Sequence, residues 1–426
     1  MTYLPDLFAN IYFWATFSGV VAFLVSIRMY PVIIYTVRAK NLMDEPGERK
    51  IHATKIPTLG GVGLFAAFAL SLILFGLSVG LERPDLLKLL SLLAATMILL
   101  FLGMKDDLIA MSPKKKFIGQ LIASAIIIFM TDVRVLGFNG LLGIGELPYA
   151  VSVLFTLFVF ILVINSFNMI DGIDGLAGAI ATISSVAFGI FFLLNENYLL
   201  VLVSCILIGA LLGFLRYNLS ESRKLFMGDS GSLFLGFLLA YQGISFLVLN
   251  ESETASFTIT NAPILLLAIL SFPLLDTLRV FAIRAKEKRS PFSPDRNHMH
   301  HRLLDLGLTH KQATLTLAVC NVLIIGLALV VRDLNINAQL VICVSLGSML
   351  YFIPFLTIFE KGAAVHMKSS VEEEKNMRIA VENYELAQKI VQSQKAPIEP
   401  VVFVRATASI KVLVNEESDK KVNSFR

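Results

Sequence analysis

Asp106 and Asp107 stand side by side where an apolar run ends, in the sequence GMKDDL. Neighbouring helical residues point about 100° apart, so one carboxylate can ligate a cation while the other orients water or a basic residue. Farther along, NSFNMIDGIDGLAG (165–178) holds Asn165, Asn168, Asp171 and Asp174 and no basic residue. Its two acids are three apart and share a face if the segment is helical, while Gly172 and Gly175 let backbone approach a ligand closely. Turns between helices also favour Asn, Asp and Gly, but two carboxylates without a local base are less easily explained that way. Asp229 lies in FMGDSGSL ahead of another apolar run, and reads as an N-cap or as a metal ligand at a helix N-terminus. The GDSG tetrapeptide resembles a serine-protease nucleophile loop. That reading is rejected, because the tetrapeptide opens straight into an apolar run and no soluble domain is present to hold a triad.

Basic and imidazole groups form the other half of the pattern. SPFSPDRNHMHHRLLDLG (290–307) places His298, His300 and His301 between Arg296 and Arg302. Without cysteine and among cations, this set suits phosphate oxygens better than zinc. RKIHATKIPTLGG (49–61) adds His52, Lys55 and a Pro57/Gly60–Gly61 turn, and SPKKKF (112–117) adds Lys114, Lys115 and Lys116, for which anionic headgroups alone are a sufficient explanation. A carboxylate cluster opposed by cations is what a divalent ion plus phosphates requires. A diphosphate cannot approach five bare carboxylates, but it can with Mg²⁺ bound through one or two of them and its own oxygens.

The elements that must position these residues are apolar. Of 426 residues, 56% are hydrophobic and 16% charged, against about 25% charged in a soluble domain. Eleven spans are expected, near 9–34, 59–81, 86–104, 117–131, 149–165, 176–194, 198–215, 232–249, 262–282, 315–331 and 337–359, which excludes a secreted disulfide scaffold, a disordered chain and an ordinary cytosolic enzyme. The fourth is the weakest, being short and interrupted by Gln120. Twenty loop lysines and arginines fall on one face of this arrangement and four (Arg83, Lys88, Arg134, Arg332) on the other. The positive-inside rule then sets the N-terminus outside and the C-terminus in the cytoplasm, with the acids on the cytoplasmic face. Cys205, Cys320 and Cys343 lie inside apolar runs and read as core residues. No cleaved signal peptide is expected. The expected fold is thus an all-α polytopic membrane domain over 1–360, followed by a small α+β cytoplasmic tail (361–426) of a helix plus a β-hairpin.

KIPTLGG, KDD, NMIDGIDGLAG, FMGDSGSL and PDRNHMHH, in this order between about 49 and 310, resemble the polyprenyl-phosphate N-acetylhexosamine-1-phosphate transferases, a membrane branch of glycosyltransferase family 4. The resemblance implies transfer of a sugar-1-phosphate from a UDP-sugar to undecaprenyl phosphate, with release of UMP, initiation of a cell-envelope polysaccharide, and Mg²⁺ (or Mn²⁺) as cofactor. By it, Asp106, Asp107 and Asp229 match the metal centre, and Asp106, Asp107, Asp171, Asp174 and His298 the catalytic positions. Lys55, Asn168, Asp174, Asn218, Phe226, Arg296, His298, His300 and His301 match substrate-binding positions, and Lys116 a lysine near the lipid phosphate. Ala110 replaces a lysine usual in the MraY branch, and HMHH replaces three consecutive histidines. Both departures favour the WecA/TagO-like branch and UDP-N-acetylglucosamine over the muramoyl-pentapeptide nucleotide. The expected setting is the inner (cytoplasmic) membrane, with the bilayer and both substrates as partners, a second copy of the chain as a further candidate, and no nucleic acid. A multispan transporter is the alternative class. Transport sites show as ionisable residues inside spans, and here only Arg28 and Asp276 qualify, Asp276 either capping a helix break after Pro273 or lining an active site.

Overall fold

The computed structural model describes residues 10–40, 43–44, 56–290 and 298–352. The expected tail at 361–426, with Lys55 and Arg296, lies outside them. The described residues are almost entirely helical, because buried in lipid a backbone must satisfy its own hydrogen bonds. In chain order the helices are α1 (Ile11–Ala39), α2 (Gly60–Val79), α3 (Arg83–Leu108), α4 (Pro113–Thr131), α5 (Tyr149–Ile170), α6 (Leu176–Leu194) and α7 (Tyr198–Asn218). They continue as α8 (Gly228–Asn250), α9 (Ala262–Ile269), α10 (Ser271–Lys286), α11 (Met299–Asp305), α12 (His310–Val330) and α13 (Ile336–Phe352). A two-residue antiparallel pair, β1 (Met43–Asp44) with β2 (Ile56–Pro57), precedes α2.

Among the described residues eight helices are long and apolar enough to cross a bilayer, and nine if the α9–α10 pair counts as one bent span. Each of the eleven expected segments is helical over most of its described residues, the last described only as far as Phe352, but α4, whose first turn is PKKK, and the 17-residue α13 fall short of that standard. Gln120, read from sequence as an interruption of α4, is buried and exchanges hydrogen bonds with the Asn165 amide of α5 (2.9 and 3.5 Å). Two polar side chains thereby satisfy each other inside the bundle.

α8 is the central post. Nearly every residue on it is buried, against α2, α3, α5 and α6, and rings interlock around it, Phe237 stacking on Phe160 at 5.1 Å and Phe234 meeting Phe65 and Phe68 edge-on.

α9 and α10 meet at a 74° bend at Leu270. The bend frees backbone groups that Asn321 of α12 recovers: its carbonyl accepts from Ser271 Oγ (3.1 Å) and Phe272 N (3.3 Å), and its amide donates to Ile269 O (3.2 Å). Pro273 sits in the first turn of α10, where a missing N–H costs little. The break therefore precedes Pro273 and is satisfied by Asn321, which corrects the expectation that Asp276 caps it.

Candidate active site

The acids gather where α3 ends and α8 begins. Gly228, at φ +71°, turns the chain into α8, and the Asp107 carboxylate accepts the first free N–H groups of that helix, from Asp229 (2.7 Å) and Ser230 (3.1 Å). The positive end of a helix favours a carboxylate there. Asp229 is thus the second residue of α8 and not its N-cap; the capping group comes from another helix. The approach requires Gly103, one turn before Asp107, because a Cβ there would stand 2.4 Å from the Ser230 Cα.

With its backbone capped, Asp229 points its side chain at Lys116, from the first turn of α4. The Lys116 ammonium bridges Asp106 and Asp229. The other oxygen of Asp106 accepts the Met111 N–H (2.5 Å), and that of Asp229 accepts from the Asn168 amide (2.9 Å), which also donates to Ser232 Oγ (2.9 Å). Asp106 and Asp107 do diverge, one to a lysine and one to a helix end.

α5 runs on through Ile170, so Asn165 and Asn168 stand on a helix and only 171–175 form the turn. Asp171 and Asp174 therefore do not share a helical face. Asp174 Oδ2 pairs with Lys224 Nζ (2.6 Å) and His310 Nδ1 (3.0 Å), and Thr314 Oγ1 donates to its carbonyl (2.8 Å). Burial alone would raise the Asp174 pKa, but these bonds and charges hold it below the ordinary carboxylate value. Asn218 is buried with both ends on backbone, accepting from Gly175 N (2.6 Å) and donating to Leu225 O (2.8 Å), so it ties the 171–175 turn to the α7–α8 loop. In that loop Phe226 pairs its backbone with Pro57 and Gly60, and the Lys224 ammonium stands 5.5 Å from its ring centre.

Asp171 has no hydrogen bond or ion pair among the described residues. Burial first, then the charges of Asp229, Asp107 and Asp174, push its pKa well above the ordinary range.

The histidines form the opposite wall. Asp276, fully buried on α10, accepts from His298 Nδ1 (2.8 Å) and Met299 N (2.9 Å), with Arg279 at 3.9 Å. His300 is wholly buried, with neither ring nitrogen hydrogen-bonded among the described residues, and its Nε2 lies where a Cβ on Gly172 would be 2.3 Å away. Burial, then the neighbouring His301, His298 and His310, hold its pKa well below the usual imidazole value. The His300 and His301 rings are 4.2 Å apart and those of His298 and His300 5.4 Å.

Asp276 was anticipated as one of two alternatives, a cap or a lining residue, and the structure places it against His298. Two contributors escaped the sequence reading. Lys224 was one base among twenty, and His310 was hidden in LTHKQ, whose Thr309–Gln312 spacing does signal the capping box that starts α12.

Among the described residues no three His, Cys, Asp or Glu side chains form a ready metal centre. The oxygen donors still suit a hard cation. Lys116 stands between two carboxylates that a divalent ion could bridge, and Asp171 beside them has no counter-charge among the described residues. Asp107 has both oxygens committed to α8.

This geometry falls within a recognisable sequence neighbourhood. A model of glycosyl transferase family 4 matches residues 89–247. The chain is 34% identical over 314 residues to the undecaprenyl-phosphate alpha-N-acetylglucosaminyl 1-phosphate transferase of Pasteurella multocida (strain Pm70), spanning 72% of this chain and 82% of the relative. It is 30% identical over 334 residues to a probable undecaprenyl-phosphate N-acetylglucosaminyl 1-phosphate transferase of Bacillus subtilis (strain 168), spanning 76% and 87%. It is 31% identical over 286 residues to the decaprenyl-phosphate N-acetylglucosaminephosphotransferase of Mycobacterium tuberculosis (strain ATCC 25618 / H37Rv), spanning 63% and 70%.

Proposed function

Because the chain belongs to glycosyl transferase family 4, we propose that it transfers N-acetylglucosamine-1-phosphate from UDP-N-acetylglucosamine to a polyprenyl phosphate, releasing UMP, on the cytoplasmic side of the membrane. The observation that carries this reading is the meeting of Asp106, Lys116, Asn168 and Asp229 at one end of the bundle, beside Asp171 and the histidine wall. The relatives' names support the sugar and the lipid acceptor. The twenty bases on the same face as the acids support the cytoplasmic side.

In the reaction an acceptor phosphate oxygen attacks the β-phosphorus of the donor. The bond from that phosphorus to the bridging oxygen breaks, and UMP departs with the electron pair. Asp229 and Asp106, with Asp171 beside them, would hold Mg²⁺, whose chemistry there would be neutralisation of charge on the donor diphosphate. Lys116 would then turn from the carboxylates to the acceptor phosphate. A phosphate monoester has a second pKa near about 6, so the acceptor arrives largely dianionic and needs no strong base. Asp106 fits that account, because one of its oxygens is held by the Met111 N–H and the other faces the cation position, which Lys116 fills in this structure. Positioning and charge neutralisation then supply the rate, as in phosphoryl transfer generally. A muramoyl-pentapeptide donor is the runner-up, disfavoured by Ala110. The transporter alternative loses its lead, since Asp276 is tied to His298 and Met299.

The deciding experiment is UMP release by the purified protein with UDP-N-acetylglucosamine, undecaprenyl phosphate and Mg²⁺, with and without EDTA. Release that needs both lipid and metal is expected. No release with any UDP-N-acetylhexosamine by folded protein would overturn the proposal.

A further inference from the structure

Away from the acids, α1 carries a groove that the reaction does not use. α1 has 29 residues, about 43 Å at 1.5 Å per residue, against about 30 Å of hydrocarbon. Counting about twenty residues from Ile11 brings the chain to Pro31, so the turns from Pro31 to Ala39 stand at headgroup level. They lie at the acid-bearing end of the bundle, because Tyr30 reaches the Gly60 carbonyl at the start of α2 (3.4 Å). Pro31 has no N–H to offer the Ile27 carbonyl, and Tyr217 donates to it instead (3.1 Å), fastening this part of α1 to α7.

Between this end of α1 and the α7–α8 loop is a cavity of about 570 Å³ lined by Pro31, Ile34, Tyr35, Arg38, Ala39 and Arg223. Pro31, Ile34 and Tyr35 give it an apolar wall, and Tyr35 is 75% exposed. Arg38 and Arg223 close its polar end, both exposed, and neither guanidinium has an acidic partner among the described residues. Two guanidiniums without an acidic partner among the described residues, above an apolar wall at headgroup depth, match one kind of occupant, a phosphodiester with its acyl chain descending along the wall.

We propose that this groove is a binding site for an anionic phospholipid of the surrounding bilayer, with Arg38 and Arg223 clamping the headgroup phosphate. The occupant is distinct from the acceptor lipid, whose phosphate must reach Lys116 on α4 and the acids on α3 and α8. The loop that supplies Arg223 also supplies Lys224, so a seated lipid braces the residue that pairs with Asp174.

The test is lipid retention by the full chain, taken from bilayers of equal parts phosphatidylcholine and phosphatidylglycerol and weighed intact by native mass spectrometry. Wild type is expected to retain phosphatidylglycerol preferentially. Arg38→Gln with Arg223→Gln should weaken that retention roughly thirtyfold, at about fivefold per arginine, and leave phosphatidylcholine unaffected. Arg38→Lys with Arg223→Lys, which keeps the charge, should keep most of it, and unchanged thermal unfolding of the glutamine pair excludes a folding defect. Unchanged phosphatidylglycerol retention in the glutamine pair would overturn the proposal. So would equal loss of both lipids, or displacement of the retained lipid by millimolar inorganic phosphate. A higher KM for undecaprenyl phosphate in pure phosphatidylcholine, with phosphatidylglycerol retention intact, would assign the groove to the acceptor and overturn it too.

Discussion

Replacing Asp276 by Asn keeps the shape of a fully buried side chain and removes one of its two acceptors. The carboxylate accepts from His298 Nδ1 and from Met299 N, and an ionised carboxylate has no proton to give. His298 therefore presents an N–H at Nδ1 to the carboxylate and turns Nε2 away from Asp276. An asparagine must face one of the two donors with its own NH₂. If it faces Met299, two N–H groups collide; if it faces His298, the imidazole must move its proton to Nε2. A buried hydrogen bond lost in this way costs about 1–3 kcal/mol, which is about 5- to 150-fold in rate if the reaction uses the His298 arrangement. The assay is kcat for UMP release by Asp276→Asn, His298→Ala and the double variant, with thermal unfolding measured alongside. If Asp276 acts through His298, the Asn change should cost less than about threefold once the histidine is gone, because coupled residues are non-additive. An equal loss in both backgrounds, or a loss under threefold in the native one, would refute the reasoning.

Four further outcomes follow from the same geometry. Lys116→Gln should lower kcat at least about a hundredfold, since it removes the cation proposed to meet the acceptor phosphate; UMP release at saturating Mg²⁺ reads it. Asp106→Asn, at a residue proposed to hold Mg²⁺, should raise the Mg²⁺ concentration that UMP release needs and keep kcat within a few-fold at saturating Mg²⁺, whereas a loss above about a thousandfold that Mg²⁺ does not recover would mark an essential base. Gly103→Ala forces a Cβ to within 2.4 Å of the Ser230 Cα and should destabilise by about 1–3 kcal/mol, seen as a lower Tm that Gly140→Ala, with nothing within 4 Å, does not show beyond its backbone strain. Asp174 has a depressed pKa, so its stabilising share is present above its unfolded value of about 3.9 and fades as pH falls through the lower folded value. The Tm gap between wild type and Asp174→Asn should accordingly be full at pH 6 and close on acidification below pH 4.

The acids were legible in the sequence because carboxylates at the ends of apolar runs are rare and costly, and their shared face followed from the order of the spans. Their partners were not legible. That Asp107 caps α8 depends on α3 reaching α8 across Gly103, a tertiary contact with no local signature. Asn165 and Asn168 read as loop because Asn competes with helical backbone. In the bundle their amides are satisfied by Gln120, Ile161, Asp229 and Ser232, and the helix continues to Ile170. The broken span was half legible. Pro273 announced an irregularity, but its location at Leu270 is set by Asn321, 51 residues farther on, and the bend is what brings Asp276 to His298.

The enclosure of α8 bears on how the protein is made. Its principal neighbours, α2, α3, α5 and α6, all precede it in the chain, so the slot that receives it is synthesised before it leaves the ribosome. α8 carries Ser232, Tyr241, Gln242 and Ser245 at buried positions, groups that are poorly suited to waiting in lipid tails. Insertion and docking of this helix are thereby pushed toward a single event. A nascent chain halted before Gly228 would present an unfilled slot to the membrane, an obvious handle for quality-control proteases.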